Sequence, residues 1–122
     1  MENENVDSSA TTEAETVSVT KDDHDAVSTF LSLGRDYLKD LLLEEQERFL
    51  QSILARQGET DRWLLLLKHQ NENVGFAHVK IDKHERIGWG FILEFYIARN
   101  KRKIGLGRTF FNLITEMLQA KG

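Results

Sequence analysis

The stretch FILEFYIARNKRKIGLGR, residues 91–108, changes character in its middle. Its first seven residues are aromatic, apolar and β-branched with a single charge, which predicts a mostly buried strand. Five cations and no acid follow in residues 99–108. Beyond them, apolar residues recur at helical spacing up to a cationic last turn at Lys121; these residues are Phe110, Phe111, Leu113, Ile114, Met117 and Leu118. The stretch therefore predicts a strand, a basic glycine loop and a helix in immediate succession.

The predicted loop has the chemistry of an anion site. A helix N-terminus carries unpaired backbone N–H groups and the positive end of the helix dipole. Gly105 and Gly107 would let a phosphate approach the backbone without a Cβ in the way, and the cations beside them would neutralise its charge. We expect the loop to bind a phosphate, and a pyrophosphate fits well.

Charge is distributed unevenly along the 122 residues. Residues 1–25 hold eight acids and one lysine, a charge of −7, so a net charge of −4 leaves +3 on the remainder. The cations of that remainder are concentrated at the glycine loop. This pattern favours a small anionic ligand and disfavours nucleic acid, which binds to a broad basic face.

Composition also restricts the class of protein and its compartment. The sequence contains no cysteine, which excludes a disulfide framework, a thiolate metal site and a cysteine nucleophile. We find neither a signal peptide nor an apolar run of the ~20 residues that a membrane span needs. The cytoplasm is therefore the expected location.

The N-terminal half predicts a tail, a strand and helices. Residues 1–14 are polar and acidic, and we interpret them as a disordered tail that precedes one domain, residues 15–122. A short strand is expected from Glu15 to Thr20, followed by a helix N-cap at residues 21–23. Apolar residues then follow a helical period, which Gly34 is expected to interrupt. A second helix is expected from about Glu44 to Gln57.

Three strands are predicted between these helices and the glycine loop. Residues 63–68 form a nearly continuous apolar run, as in a central strand. A polar turn at residues 70–73 separates it from a strand at 74–81, and a charged turn at 82–86 leads to the strand that ends at Ile97. The predicted fold class is α/β (α+β), with a mixed sheet and helices.

The loop also resembles a known motif. Arg102, Lys103, Ile104, Gly105, Leu106 and Gly107 follow Glu94, Phe95, Tyr96 and Ile97 at short distance. This arrangement resembles the acetyl-CoA motif of the GNAT-type N-acetyltransferase superfamily: arginine or glutamine, two variable residues, glycine, one variable residue, then glycine or alanine. A Walker loop does not fit because no Gly-Lys-Ser/Thr follows, and the glycine spacing does not match a dinucleotide fingerprint.

The order of predicted elements is similar to the beginning of the same superfamily. Beyond the tail, the resemblance covers nearly all of the chain, but only about the first two-thirds of the usual domain. In the superfamily, a further strand, another helix and usually a hairpin follow the loop helix. The resemblance thus implies a C-terminally truncated, partial GNAT-like domain without the C-terminal strands.

The resemblance implies transfer of an acetyl group from acetyl-CoA to a primary amine of a small molecule or peptide. The backbone from Arg102 to Arg108 would hold the pyrophosphate, and the charges of Arg102, Lys103 and Arg108 would assist. Backbone groups of Phe95 to Ala98 would pair with the pantetheine amides as an added strand does. The region of Ile97 would lie near the thioester.

Two residues are candidates for catalysis. Glu94 is the only carboxylate in an otherwise apolar strand and would serve as the base or the amine anchor; a surface glutamate paired with a cation explains it equally well. Tyr96 shares its face by strand alternation and is either a cleft residue or a packed core residue. The four histidines follow no metal-ligand spacing, so no metal is expected.

Two hypotheses about function, an enzyme and a binding module, stay open. The first is an active acetyl-CoA-dependent N-acetyltransferase, which retention of Arg102, Gly105 and Gly107 favours. The second is a catalytically inactive, truncated GNAT-like module that binds CoA or another protein, a homodimer partner included. The early end at Gly122 favours the second.

Overall fold

A computed structural model describes residues 13–102 and 104–121 of the chain. These residues form four strands and three α-helices in the order predicted. The elements are β1 (Ala14–Ser18), α1 (His24–Tyr37), α2 (Leu43–Ala55), β2 (Arg62–His69), β3 (Glu72–Ile81), β4 (Gly90–Ile97) and α3 (Leu106–Lys121). Residues 1–12 of the predicted acidic tail lie outside the described residues. Strand β1 begins at Ala14, one residue before the predicted strand.

The four strands form one antiparallel sheet in the order β1-β2-β3-β4. β2 and β3 are joined at Gln70 and Asn71, which have φ values of 55° and 66°. Positive φ at both central residues is typical of the tight hairpin turn that matches the twist of a sheet. The β3–β4 register shifts between His78 and Val79, so that Leu93 is an extra residue in β4. The mixed α/β fold class is confirmed.

Helices cover both faces of the sheet, which explains the continuous apolar run in β2. Leu64 and Leu66 pack in one buried cluster with residues of α1 and α2. Leu65 and Leu67 point the other way and pack in a second cluster with residues of α3. Side chains alternate between the faces of a strand, so a strand covered on both sides must be apolar at every position.

Helix α1 runs without a break through Gly34, so the predicted interruption is wrong. Gly34 is buried, and a Cβ built on it would lie 2.5 Å from Cδ2 of Leu50 in α2. Glycine therefore lets the two helices approach closely and does not end the first one. The helix begins as predicted, with the Asp23 side chain accepting a hydrogen bond of 3.1 Å from the N–H of Ala26.

None of the helices in residues 13–102 and 104–121 is long and apolar enough to cross a membrane.

Candidate functional site

The C-terminal half of β4 lies at one edge of the sheet. The N–H of Ala98 donates to the carbonyl of Val74 at 2.7 Å, so Ala98 pairs with β3. Because main-chain groups of alternate residues face opposite sides in an antiparallel strand, those of Tyr96 also face β3, and those of Phe95 and Ile97 face outward. Of the residues from Phe95 to Ala98, whose backbone groups were all expected to face a ligand, Phe95 and Ile97 face away from the sheet and Tyr96 and Ala98 do not.

A short cationic turn leads from β4 to α3. Residues Arg99–Lys101 form one 3₁₀ turn, and Lys101 Nζ lies 2.8 Å from a carboxylate oxygen of Glu72. The Nε–H of Arg102 donates to the carbonyl of Ile97 at 2.8 Å, and its guanidinium lies 5.4 Å from the ring centre of Tyr96. The Arg102 charge is thus held beside the end of β4.

Gly105 and Gly107 are placed differently at the start of α3. Gly105 precedes the helix with φ +83°, a conformation that residues with a Cβ rarely adopt. Gly107 lies inside the first helical turn, so the loop is shorter than expected. Among residues 13–102 and 104–121, no atom lies within 4 Å of a Cβ built on either glycine, apart from its chain neighbours and the helix backbone. Both therefore border open space.

Backbone donors that lack an acceptor within α3 lie at the same place. The N–H of Thr109 donates to the carbonyl of Gly105 at 3.2 Å and begins the hydrogen bonding of α3. The N–H groups of Leu106, Gly107 and Arg108 precede it and have no acceptor within the helix. A group with negative charge can approach them where Gly105 and Gly107 leave room.

The remaining residues of the predicted loop differ in their burial where the structure describes them. Leu106 is buried in the core cluster beneath α3 and fixes the start of the helix. Arg108 and Ile104 are exposed. Lys103 lies outside the described residues.

An open cavity of about 500 Å³ connects the glycine loop with β4 and α1. Gly107 and Arg102 line it on one side, and the end of α1 lines it on the other. Its remaining lining residues are Asp36, Lys39, Tyr37, Asp40, Phe95, Tyr96, Ile97 and Arg99. The outward edge of β4 therefore faces the same space as the glycine loop.

Glu94 is not among the residues that line this cavity, but its hydrogen-bond partner Tyr37 is. Glu94 is half-buried, and its Oε1 accepts a hydrogen bond of 3.1 Å from the hydroxyl of Tyr37. Burial raises the pKa of Glu94, and the bond from Tyr37 lowers that pKa in part. A carboxyl group with a raised pKa works as a proton acceptor closer to neutral pH than an ordinary one.

Tyr96 is buried on the same face as Glu94, as strand alternation predicts. Its hydroxyl donates to Oδ2 of Asp36. Neither Asp36 nor Tyr37 was predicted from the sequence as a site residue. An acid and a tyrosine at the end of an amphipathic helix were visible, but their contacts with residues 57 and 60 positions away were not.

His78 lies directly across from Glu94 on β3, yet it is a core residue. It is buried, and its Nε2 lies 3.4 Å from a guanidinium nitrogen of Arg62. Burial, followed by the charges of Arg62 and Arg56, lowers the pKa of His78 to about 4. His78 is therefore neutral at physiological pH.

Residues 17–122 match the family model described as the acetyltransferase (GNAT) family. The chain belongs to this family, as its loop motif and element order indicated. No match was found among curated proteins.

Solved structures of GNAT acetyltransferases share the fold at low sequence identity. A GNAT-family protein from Staphylococcus aureus subsp. aureus is 12% identical, with a TM-score of 0.66 over 86% of this chain and 91% of the other. PaiA N-acetyltransferase from Thermoplasma acidophilum, in complex with coenzyme A, is 16% identical, with a TM-score of 0.64 over 89% and 74%. Aminoglycoside acetyltransferase meta-AAC0020 from an uncultured soil metagenomic sample, in complex with sisomicin, is 11% identical, with a TM-score of 0.65 over 91% and 73%.

Proposed function

We propose that this chain binds acetyl-CoA at the start of α3 and transfers its acetyl group to a primary amine. One observation carries the proposal: the open glycine loop and the outward edge of β4 border a single cavity of about 500 Å³. A long ligand with a diphosphate near one end requires such a continuous path. Membership of the GNAT family and the coenzyme A bound to PaiA N-acetyltransferase support the choice of ligand.

The residues present fit the cofactor. The open space at Gly105 and Gly107 admits a phosphate to the N–H groups of Leu106, Gly107 and Arg108. The exposed Arg108 adds positive charge, and so does Arg102 in the cavity wall. The main-chain groups of Phe95 and the N–H of Ile97 are free to bind amides, since the carbonyl of Ile97 already accepts from Arg102. Bound acetyl-CoA supplies an activated acetyl group.

In this proposal, Glu94 accepts a proton from the ammonium form of the acceptor, because only a neutral amine is nucleophilic. Asp36 and Asp40 line the same cavity and would attract a cationic acceptor. The aminoglycoside acetyltransferase in complex with sisomicin is a neighbour whose ligand carries amines, and it supports an amine acceptor here.

A second candidate function is a protein-interaction module that binds CoA without turnover. The observation that favours it is the run Leu41, Leu42 and Leu43, which ends at the first residue of α2 and in which Leu42 and Leu43 are 71% and 74% exposed. An exposed apolar run beside a ligand cavity is typical of a surface that binds another macromolecule.

The proposed reaction is tested with Glu94→Gln. We expect turnover with an amine acceptor to fall on the order of 100-fold, because the variant cannot accept a proton. CoA affinity by calorimetric titration should stay the same, since Glu94 lies away from the loop. Glu116→Gln, an exposed position on α3, is the matched control. Full activity of the Glu94 variant would remove this residue from the mechanism, and CoA binding without turnover in the unmodified chain would favour the interaction module.

A further inference from the structure

Two tyrosine–carboxylate hydrogen bonds join the last turn of α1 to β4. The hydroxyl of Tyr37 on the helix donates to Glu94 on the strand at 3.1 Å. In the opposite direction, the hydroxyl of Tyr96 on the strand donates to Asp36 on the helix. Asp36 and Tyr37 are adjacent on the helix, and their partners on the strand are two residues apart. Each carboxylate accepts a hydrogen bond from one tyrosine hydroxyl.

The ring of Tyr37 is held on two sides. It meets the ring of Phe76 edge-on, with centres 5.5 Å apart at 87°, and the ring of Tyr96 at 5.5 Å and 55°. Phe76 is fully buried and packs in turn on Phe30 of α1. Aromatic contacts of this geometry fix a ring in place. The Tyr37 hydroxyl therefore has a defined position relative to β4.

Glu94 itself has little else to orient it. The residue opposite it on β3 is His78, whose Nε2 interacts with Arg62 and which is neutral near pH 7. The Asp36 carboxylate is engaged by Tyr96. Within residues 13–102 and 104–121, the Glu94 carboxylate accepts one side-chain hydrogen bond, and its donor is Tyr37. A flexible glutamate side chain thus depends on one partner for its direction.

We propose that Tyr37 is a positioning residue for Glu94: its hydroxyl holds one carboxylate oxygen and leaves the other to take the proton of the acceptor amine. This inference rests on the proposed function, because it assigns a partner to the base of that reaction. Tyr37 also lines the cavity that is proposed to bind the acceptor. It therefore links that cavity to the Glu94 carboxylate through its hydrogen bond.

The sign of the effect on pH dependence follows from the hydrogen bond. Glu94 has a pKa raised by burial, and the bond from Tyr37 favours its charged form and lowers that pKa. The pKa of Tyr37 is raised by burial and then by the charge of Glu94. Removing the hydroxyl therefore raises the pKa of Glu94 further. The acid limb of the pH–rate profile should move to higher pH.

The test is Tyr37→Phe, which keeps the ring and its packing. We expect kcat to fall on the order of tenfold at pH 7, the effect of one hydrogen bond to a charged group. The loss should shrink as the pH is raised, and the KM for acetyl-CoA should stay the same. A ¹³C NMR titration of the Glu94 carboxyl should give a higher pKa than in the unmodified chain. This readout needs no turnover.

Tyr96→Phe is the control for the titration. It removes the companion bond to Asp36 and should leave the pKa of Glu94 unchanged. If Tyr37→Phe does not fold, the same hydrogen bond is tested with Glu94→Gln, which removes the charge of Glu94. Because that charge raises the pKa of Tyr37, Tyr37 should then ionise at lower pH than in the unmodified chain.

The outcomes separate the two proposals. An active Tyr37→Phe variant with an unchanged Glu94 pKa overturns the role of Tyr37, as does a loss of rate that is equal at every pH. A Tyr37 that ionises at the same pH in Glu94→Gln overturns it as well. An unmodified chain without acetyl transfer to any amine overturns the proposed function itself.

Discussion

Gly105 and Gly107 leave the same open space for different reasons. Gly105 needs its backbone freedom, since its φ of +83° costs a residue with a Cβ about 1–2 kcal/mol. Gly107 lies in a helical turn, a conformation open to any residue, and it leaves the space open only because it has no side chain. At this scale, the two positions make the start of α3 accessible to a ligand.

We expect Gly105→Ala to weaken CoA binding at least tenfold, equivalent to ~1.4 kcal/mol. The added Cβ enters the open space and strains the turn that presents the N–H groups. Isothermal titration with CoA measures the affinity, and thermal unfolding measures the cost in stability.

The matched control is Gly88→Ala, in the turn between β3 and β4. Gly88 has φ +88° and also borders open space, so its replacement causes similar strain. It lies two residues before the start of β4, and the first residue of that strand, Gly90, is about 23 Å from Ile97 along the eight-residue strand. Equal loss of CoA affinity in both variants would mean that Gly105 acts only through stability.

At the scale of elements, the closeness of α1 and α2 depends on one glycine. Gly34 is buried at the start of the last turn of α1, and Leu50 of α2 occupies the space that a side chain would fill. A glycine usually weakens a helix by about 1 kcal/mol relative to alanine. Here the contact between helices offsets that loss. It also sets the position of the last turn of α1, which carries Asp36 and Tyr37.

Gly34→Ala should lower the free energy of unfolding by about 1 kcal/mol. Overpacking against Leu50 costs about 1–3 kcal/mol and exceeds the gain in helix propensity. Chemical denaturation measures the difference. In a Leu50→Val background the same change should cost less, because the shorter side chain makes room.

Gly107→Ala provides the comparison, since it is also helical but borders open space. It should leave stability unchanged or raise it by a few tenths of a kcal/mol. A loss as large as that of Gly34→Ala would show that the contact with Leu50 is not the cause.

For the whole molecule, covering both faces of the sheet buries residues that the site does not use. His78 is one of these, 4% exposed between β2 and β4 and beneath the helices. Its pKa falls from 6.5 to about 4, mainly because burial disfavours the charged ring. Since unfolding restores the ordinary pKa, the unfolded chain binds a proton that the folded chain does not.

The stability that His78 contributes should be complete above pH 6.5 and decline as the pH falls toward 4. Integrated over that window, the loss amounts to about 3 kcal/mol at most. His78→Leu should flatten this part of the stability curve, measured by denaturation at intervals between pH 7 and pH 4.

His84→Gln in the exposed turn after β3 serves as the control and should keep the slope of the unmodified chain. The raised pKa of Glu94 acts in the opposite direction at acid pH, so the comparison between variants isolates His78. An unchanged slope in His78→Leu would contradict a neutral, buried His78.

Local sequence patterns were sufficient to predict much of the fold and the glycine turn before α3. The seven apolar residues before Ala98 predict β4, and the glycines with their cations predict the turn into α3. These signals depend on neighbours in the chain: strand alternation, turn conformation and helix periodicity act within a few residues. For the same reason, the cap at Asp23 and a turn at Gln70 and Asn71 agree with the prediction, although the last two residues of the predicted turn, Glu72 and Asn73, already lie in β3.

The sequence by itself determined the order of the elements, the glycine turn that leads into α3 and the family that the motif resembles. Only the tertiary structure decided that Gly34 lies within a helix, that Tyr37 contacts Glu94 and that Asp36 contacts Tyr96. Each of these depends on residues that are far apart in the chain and meet only when α1 packs on the sheet. Propensity and periodicity describe local preferences, whereas contacts between elements are set by which faces become buried together.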